Sequence, residues 1–203
     1  MQRKHLRQFF RALGEAWPHK TTVLVTGGAA ALLLGGARPT DDVDFEVRFH
    51  TSGASWEAFT TAVQRVSEST KIGAQYAESI DRWTQITLLD YRSHAQRMGR
   101  FGAIEVRLLD PIYWSIGKVS RYEDRDIQDL IAVFRRHQPD PAAVARLWHR
   151  ALRKSPKSTH LRLTLKQALH FFRTHGKRIW GPRFSLATVE AMLSAAPRSR
   201  SKR

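Results

Sequence analysis

The segment Thr40-Asp41-Asp42-Val43-Asp44-Phe45-Glu46-Val47 holds the densest chemistry in this 203-residue chain. Read as a strand, it sends Asp42, Asp44 and Glu46 to one face and Val43, Phe45 and Val47 to the other. Acids two positions apart stand about 6–7 Å from each other along a strand, and they repel unless a cation lies between them. Such a pair suits Mg²⁺, a hard cation that takes oxygen ligands and keeps waters for substrate phosphates. The plainer alternative is a solvated strand face whose acids pair with Arg48 or Arg107. Fourteen residues before Asp42 stands Gly28, in Leu24-Val25-Thr26-Gly27-Gly28-Ala29, where a β-branched run meets a strong helix former. Glycine there lets a phosphate approach the backbone, and a helix start offers unpaired N–H groups of favourable dipole sign. By itself that pair could be a plain tight turn. Together the two segments are the halves of a nucleoside triphosphate site: Gly27 and Gly28 against phosphate, Asp42 and Asp44 on metal.

The longer string, Gly27-Gly28 followed by Gly35-Gly36, Arg38, Thr40, Asp42-Val43-Asp44 and Phe45, resembles the signature of the polymerase β-type nucleotidyltransferases. It is most similar to the bacterial minimal nucleotidyltransferases, among them the abortive-infection toxins of toxin–antitoxin systems. A second block, Lys118-Val-Ser-Arg121 with Arg125-Asp126-Ile-Gln-Asp129-Leu130, is similar to that group's Lys-x-x-Arg…Arg-Asp-x-x-Asp-Leu segment. The resemblance covers residues 20–135. It implies a polymerase β-like core, a small mixed sheet flanked by helices, that moves a nucleoside monophosphate from an NTP to an acceptor. It also implies two Mg²⁺ ions, a Lys118 that neutralises phosphate with help from Arg38, and an Asp126 that orients the lysine. Asp126 and Asp129 could instead cap a helix or pair with Arg125. Relatives complete the metal site with a third carboxylate on a neighbouring strand. Asp90 is the first candidate here and Glu105 the second, although an Ile-Asp-Leu-Leu pattern would put the acid at Thr87.

Positioning these groups requires regular elements. Leu6, Phe9, Phe10, Leu13 and Trp17 form one stripe of a helix over residues 6–17, stopped by Pro18. Strands are expected over residues 21–26, 43–49, 84–91 and 104–109, with helices over 29–34, 55–70, 112–119 and 125–136. Gln138-Pro139-Asp140-Pro141 interrupts any continuous helix. Beyond it, helices are expected over 142–154, 161–174 and 186–195, then a frayed basic tail over 199–203. The fold class is α+β: a nucleotidyltransferase-like unit over 1–137, then a basic helical region over 138–203.

Charge divides at the same place. Residues 138–203 hold 15 Lys and Arg against two acids, whereas residues 1–137 hold 19 against 16, within a net charge of +16. A basic appendage behind a near-neutral unit points to a polyanionic partner, RNA such as a tRNA 3′ end. Arg146, Arg150, Arg153, Lys154 and Lys157 recur at helical spacing and are the candidate phosphate contacts. Trp148, Phe171, Phe172, Trp180 and Phe184 lie among them, as core or as stacking platforms. Nine histidines show no zinc-like spacing, and the absence of cysteine excludes disulfides and thiolate metal sites. No apolar run approaches the ~20 residues that span a bilayer. A cytoplasmic protein is expected, with a cognate antitoxin as a possible partner; the competing readings are a non-catalytic binding module and a small-molecule or protein adenylyltransferase.

Overall fold

The computed structural model describes residues 1–36, 38–84 and 86–194; the expected basic tail lies outside them. In chain order the elements are α1 (Arg3–Ala16), β1 (Thr21–Thr26), α2 (Gly27–Leu34), β2 (Asp42–Phe49), α3 (Trp56–Thr70), β3 (Gly73–Ala77), β4 (Ala95–Phe101), β5 (Ile104–Leu109), α4 (Pro111–Arg121), α5 (Asp124–His137), α6 (Pro141–Lys154), α7 (Thr159–Trp180) and α8 (Leu186–Ser194). The class is α+β. A five-stranded mixed sheet runs in the order β3-β2-β1-β5-β4, with β1–β5 and β2–β3 parallel.

One sheet face is the core. Leu6, Phe9, Phe10 and Leu13 of α1 are all buried, and Phe9, Phe10, Phe59 and Tyr76 ring the buried Phe45 of β2. Each aromatic removes a large apolar area from water, and the edge-to-face pairs add about 0.5–1.5 kcal/mol apiece. Short α2 is apolar on every side, as a wholly buried helix must be. It packs on β1 and β2 and also on α4 and α5, so it joins the sheet to the helical part.

Beyond α5, Gln138 closes the helix in the left-handed conformation and the Asp140 carboxylate caps the first turn of α6. The helices past this boundary enter the same core: Trp148 donates to Ser115 Oγ at 2.8 Å and its ring lies 6.4 Å from Phe134. Trp148, Phe171, Phe172 and Trp180 are buried. They are packing residues, not exposed stacking platforms. Among the described residues no helix is long and apolar enough to cross a membrane.

Two edges of the sheet differ from expectation. The described residues of the segment over 84–91 do not form a strand. Its Ile86 and Leu88 are buried, but Thr87 N donates to Ser155 Oγ (2.8 Å) and Leu88 N to Asp81 Oδ1 (3.2 Å), so side chains satisfy the backbone instead of a ladder. The edge positions belong to β3 and β4.

Candidate active site

The ladder sets the site. Asp44 of β2 pairs in register with Thr26, the last residue of β1, and Gly27 follows immediately as the first residue of α2. Gly27 has φ +62°, and a Cβ there would overlap the Asp44 carboxylate. The acid and the helix start therefore touch, and only glycine permits it. Gly28 faces Thr40 and Arg38, whose Oγ1 and Nη2 would lie 2.7 and 3.4 Å from an added Cβ. Thr40 in turn donates to the Asp42 carbonyl at 3.2 Å, and Gln75 of β3 donates to Asp42 Oδ2 at 3.2 Å. Trp114 Nε1 donates to the Gly27 carbonyl at 3.2 Å, pinning the turn from α4.

Asp44 is held against its usual chemistry. Burial first, and the neighbouring Asp42 second, push its carboxyl up to about 6; Arg121, Lys118 and Arg125 offset only part of this. A carboxylate pair so placed needs a proton or a cation. Asp42 and Asp44 are thus the residues that could hold a divalent ion.

Opposite them lies a buried charge network. Lys118 Nζ is 2.9 Å from Asp126 Oδ1 and 2.8 Å from Asp129 Oδ2, all three side chains being almost fully buried. Arg121 pairs with Asp126 at 2.6 Å and Arg38 with Asp129 at 3.1 Å. Two carboxylates thereby link three cations from α4 and from the loop after α2. Burial raises Asp126, but the bonds from Arg121 and Lys118 outweigh it and hold its carboxyl below the usual range. In the second sequence block Asp126 thus pairs with Lys118 and fixes the direction of its ammonium group. Asp129 shares that task. Asp126 also caps α5 by accepting from Glu123 N at 3.3 Å, so the plainer reading holds beside it.

A cleft of about 140 Å³ joins these parts. Gly27, Asp44 and Lys118 line it, together with Arg121, Trp83 and Tyr113, none of which the sequence reading placed at the site. Arg121 was signalled by its i, i+3 spacing from Lys118. Trp83, on a short 3-10 turn over Ile80–Trp83, carried no signal.

Neither candidate third carboxylate is among the residues that line this cleft. Asp90 ends the non-strand segment, is about two-thirds exposed, and accepts from Tyr113 OH at 3.3 Å. Glu105 pairs with Thr22, four residues before Thr26, so it lies about 13 Å down the sheet from the Asp44 row. It binds Arg107 at 2.6 Å, and that bond holds its carboxyl below the usual range. Where β5 reaches the cleft it contributes apolar Leu109. Among the described residues no group of three or more His, Cys, Asp or Glu could hold a metal. Glu46, on the same face as Asp44, is a structural anchor: it is buried and accepts from Tyr91 OH, Arg92 Nε (2.6 Å) and Ile80 N (3.1 Å).

The candidate phosphate contacts also divide. Arg146 and Arg150 line a second, larger cleft. Arg153, Lys154 and Lys157 are exposed around the end of α6.

Fold and site define an α+β chain in which a Gly-Gly helix start meets a strand-borne carboxylate pair and a lysine held by two aspartates. No protein-family model, curated protein or solved structure matches the chain.

The glycine contact gives a direct expectation. Gly27→Ala should cost about 1–3 kcal/mol through its left-handed backbone and should displace the Asp44 carboxylate. Gly28→Ala should be milder, because the Thr40 hydroxyl can turn aside. Denaturant midpoints of the two variants check this; equal losses would contradict it.

Proposed function

We propose that the chain is a Mg²⁺-dependent nucleotidyltransferase with a polymerase β-like core, moving a nucleoside monophosphate from an NTP to an RNA acceptor. The observation that carries the reading is the contact between Gly27 and the Asp44 carboxylate. It sets phosphate-binding backbone and metal-binding acid side by side, as transfer between phosphates requires. Asp42 and Asp44 would hold the metal, which supplies Lewis-acid activation of the acceptor hydroxyl and charge neutralisation on the leaving pyrophosphate. The N–H groups at the start of α2 receive the phosphates. Lys118 and Arg121 present positive charge from α4, fixed in direction by Asp126 and Asp129. The basic helices dock the acceptor, and a role as the toxin of a toxin–antitoxin pair belongs to this proposal.

One observation favours a second reading. With no third carboxylate beside Asp42 and Asp44 among the described residues, the fold could bind metal and nucleotide without turnover. Labelled NTPs, Mg²⁺ and total RNA separate the two. Label transferred to RNA and lowered at least a hundredfold by Asp42→Ala supports the transferase. NTP binding with no transferred label supports the binding module, and transfer undiminished in Asp42→Ala overturns the assignment of the site.

A further inference from the structure

We propose that the larger cleft, between the first turn of α4 and the face of α6, is a second binding site for a nucleotide unit and holds the acceptor beside the donor cleft. Its role rests on the transferase reading; its existence does not.

The cleft measures about 750 Å³, within the range of small-molecule sites and well above the donor cleft. Pro111, Ile112, Pro139 and Leu147 give it an apolar wall, and Arg146 and Arg150, one turn apart on α6, stand over it. The two arginine side chains are each more than half exposed. Arg150 donates to Tyr113 OH at 3.0 Å, and Arg146 lies 3.3 Å from the exposed Asp140, a contact weak enough to exchange for a phosphate. His94 stacks on Tyr113 with ring centroids 3.7 Å apart and planes within 13°. Its Nδ1 lies 3.4 Å from Asp110 Oδ2.

The mixture of charges selects the ligand. Two arginines ask for an anion, whereas the Asp110 carboxylate on the same wall disfavours a purely anionic ligand; its Oδ1 caps α4 by accepting from Ile112 N and Tyr113 N, and its Oδ2, beside His94, is the oxygen left to accept from a hydroxyl or amino group. The apolar wall and the stacked rings suit a flat heterocycle. A nucleotide carries all three features: phosphate, hydroxyl and amino donors, and a π-face. Tyr113 lines both clefts, so a nucleotide in the second is a neighbour of the triphosphate in the first.

The shared chemistry is a phosphorylated nucleoside, either free or at the end of an RNA strand. Adenosine 5′-monophosphate and a single-stranded RNA of about ten nucleotides serve as probes, titrated against the full chain without Mg²⁺ or NTP. The expected result is binding that falls at least tenfold in Arg146→Ala/Arg150→Ala and in Ala143→Trp, which fills the cleft, and stays within twofold in Asp42→Ala. RNA bound much more tightly than the mononucleotide assigns the site to an RNA end; equal affinity assigns it to a free nucleotide. Binding of both probes unchanged in the arginine variant, or lost only in Asp42→Ala, overturns the proposal. The arginine variant removes exposed side chains only, so it stays informative if Ala143→Trp fails to fold. If this pattern is found and no transfer occurs, the transferase reading fails while the site stands.

Discussion

Lys118→Met should lower stability by about 3 kcal/mol, one of the largest losses available to a single polar side chain in this protein. The lysine side chain is 4% exposed, and its ammonium group lies between the carboxylates of side chains that are 0% and 2% exposed. Removing it leaves two buried negative charges with one cation fewer, a change that costs about 3–5 kcal/mol where a buried pair is broken. The low end applies here because each carboxylate keeps an arginine, Arg121 on Asp126 and Arg38 on Asp129. A cation–π contact with Trp114, whose centroid is 5.7 Å away, is lost as well. A second substitution tests the cause. Asp129→Asn removes one of the stranded charges, so the double variant should be more stable than Lys118→Met alone by about 1–2 kcal/mol. Urea midpoints at constant slope report both values. A loss under 1 kcal/mol, the worth of an exposed ion pair, would show that the network does not hold α4 to α5.

How much of this was readable beforehand differs by element. Strand β1 and the face carrying Asp42 and Asp44 follow directly from β-branched composition and period-two alternation. Edge strands β3 and β4 do not. Gly73–Ala77 and Ala95–Phe101 contain no fully buried residue, and an edge strand pairs on one side only, so neither composition nor alternation marks it. The same physics explains the error over 84–91. Ile86 and Leu88 alternate as strand residues would, yet they are plugs in the core, and the N–H groups of Ile86, Thr87 and Leu88 bond to side chains. Helix α7 runs on to Trp180, past the expected end at residue 174 and through Gly176. There the bare glycine makes room for the Phe184 ring, which a Cβ would overlap.

The charge division at Gln138 has a different meaning in three dimensions. It marks a turn between packed helices, since Trp148 and Phe171 beyond it share a core with Ser115 and Phe134 before it. Cutting the chain there would expose that core, so the basic surplus is tested by point substitution at Arg146 and Arg150. Local charge also departs from the regional balance. Arg48, Arg97, Arg100 and Arg107 share the sheet face of Asp44, in register with Thr22, Glu105 and one another. A sum over residues 1–137 hides that face.

Asp44→Asn should make the protein more stable at pH 8 and, under the proposed function, abolish nucleotide transfer. The Asp44 carboxyl is raised from 3.8 to about 6, chiefly by burial and then by Asp42. A folded-state value above the unfolded one means that the native chain binds more protons between the two. Stability therefore falls as pH rises from about 4 to about 6 and is level above that range. Two units correspond to about 3 kcal/mol at most; solvent screening of a partly exposed group reduces this to about 1–2 kcal/mol. The Asn variant should gain that amount at pH 8 and nothing at pH 4. Under the proposed function Mg²⁺ would offer the wild-type protein the same relief by binding the ionised pair, so its stabilising effect should grow through pH 6. The variant should then respond little to Mg²⁺ at any pH, and the proposed nucleotide transfer should fall at least a hundredfold. Thermal midpoints of both proteins across pH 4–8, with and without Mg²⁺, measure each term. A variant less stable than wild type at pH 8, or equal Mg²⁺ shifts in the two, would show that the Asp44 charge is not strained in the native state. The expected crossing, more stability and no chemistry, is the mark of a residue placed for function against the interest of the fold.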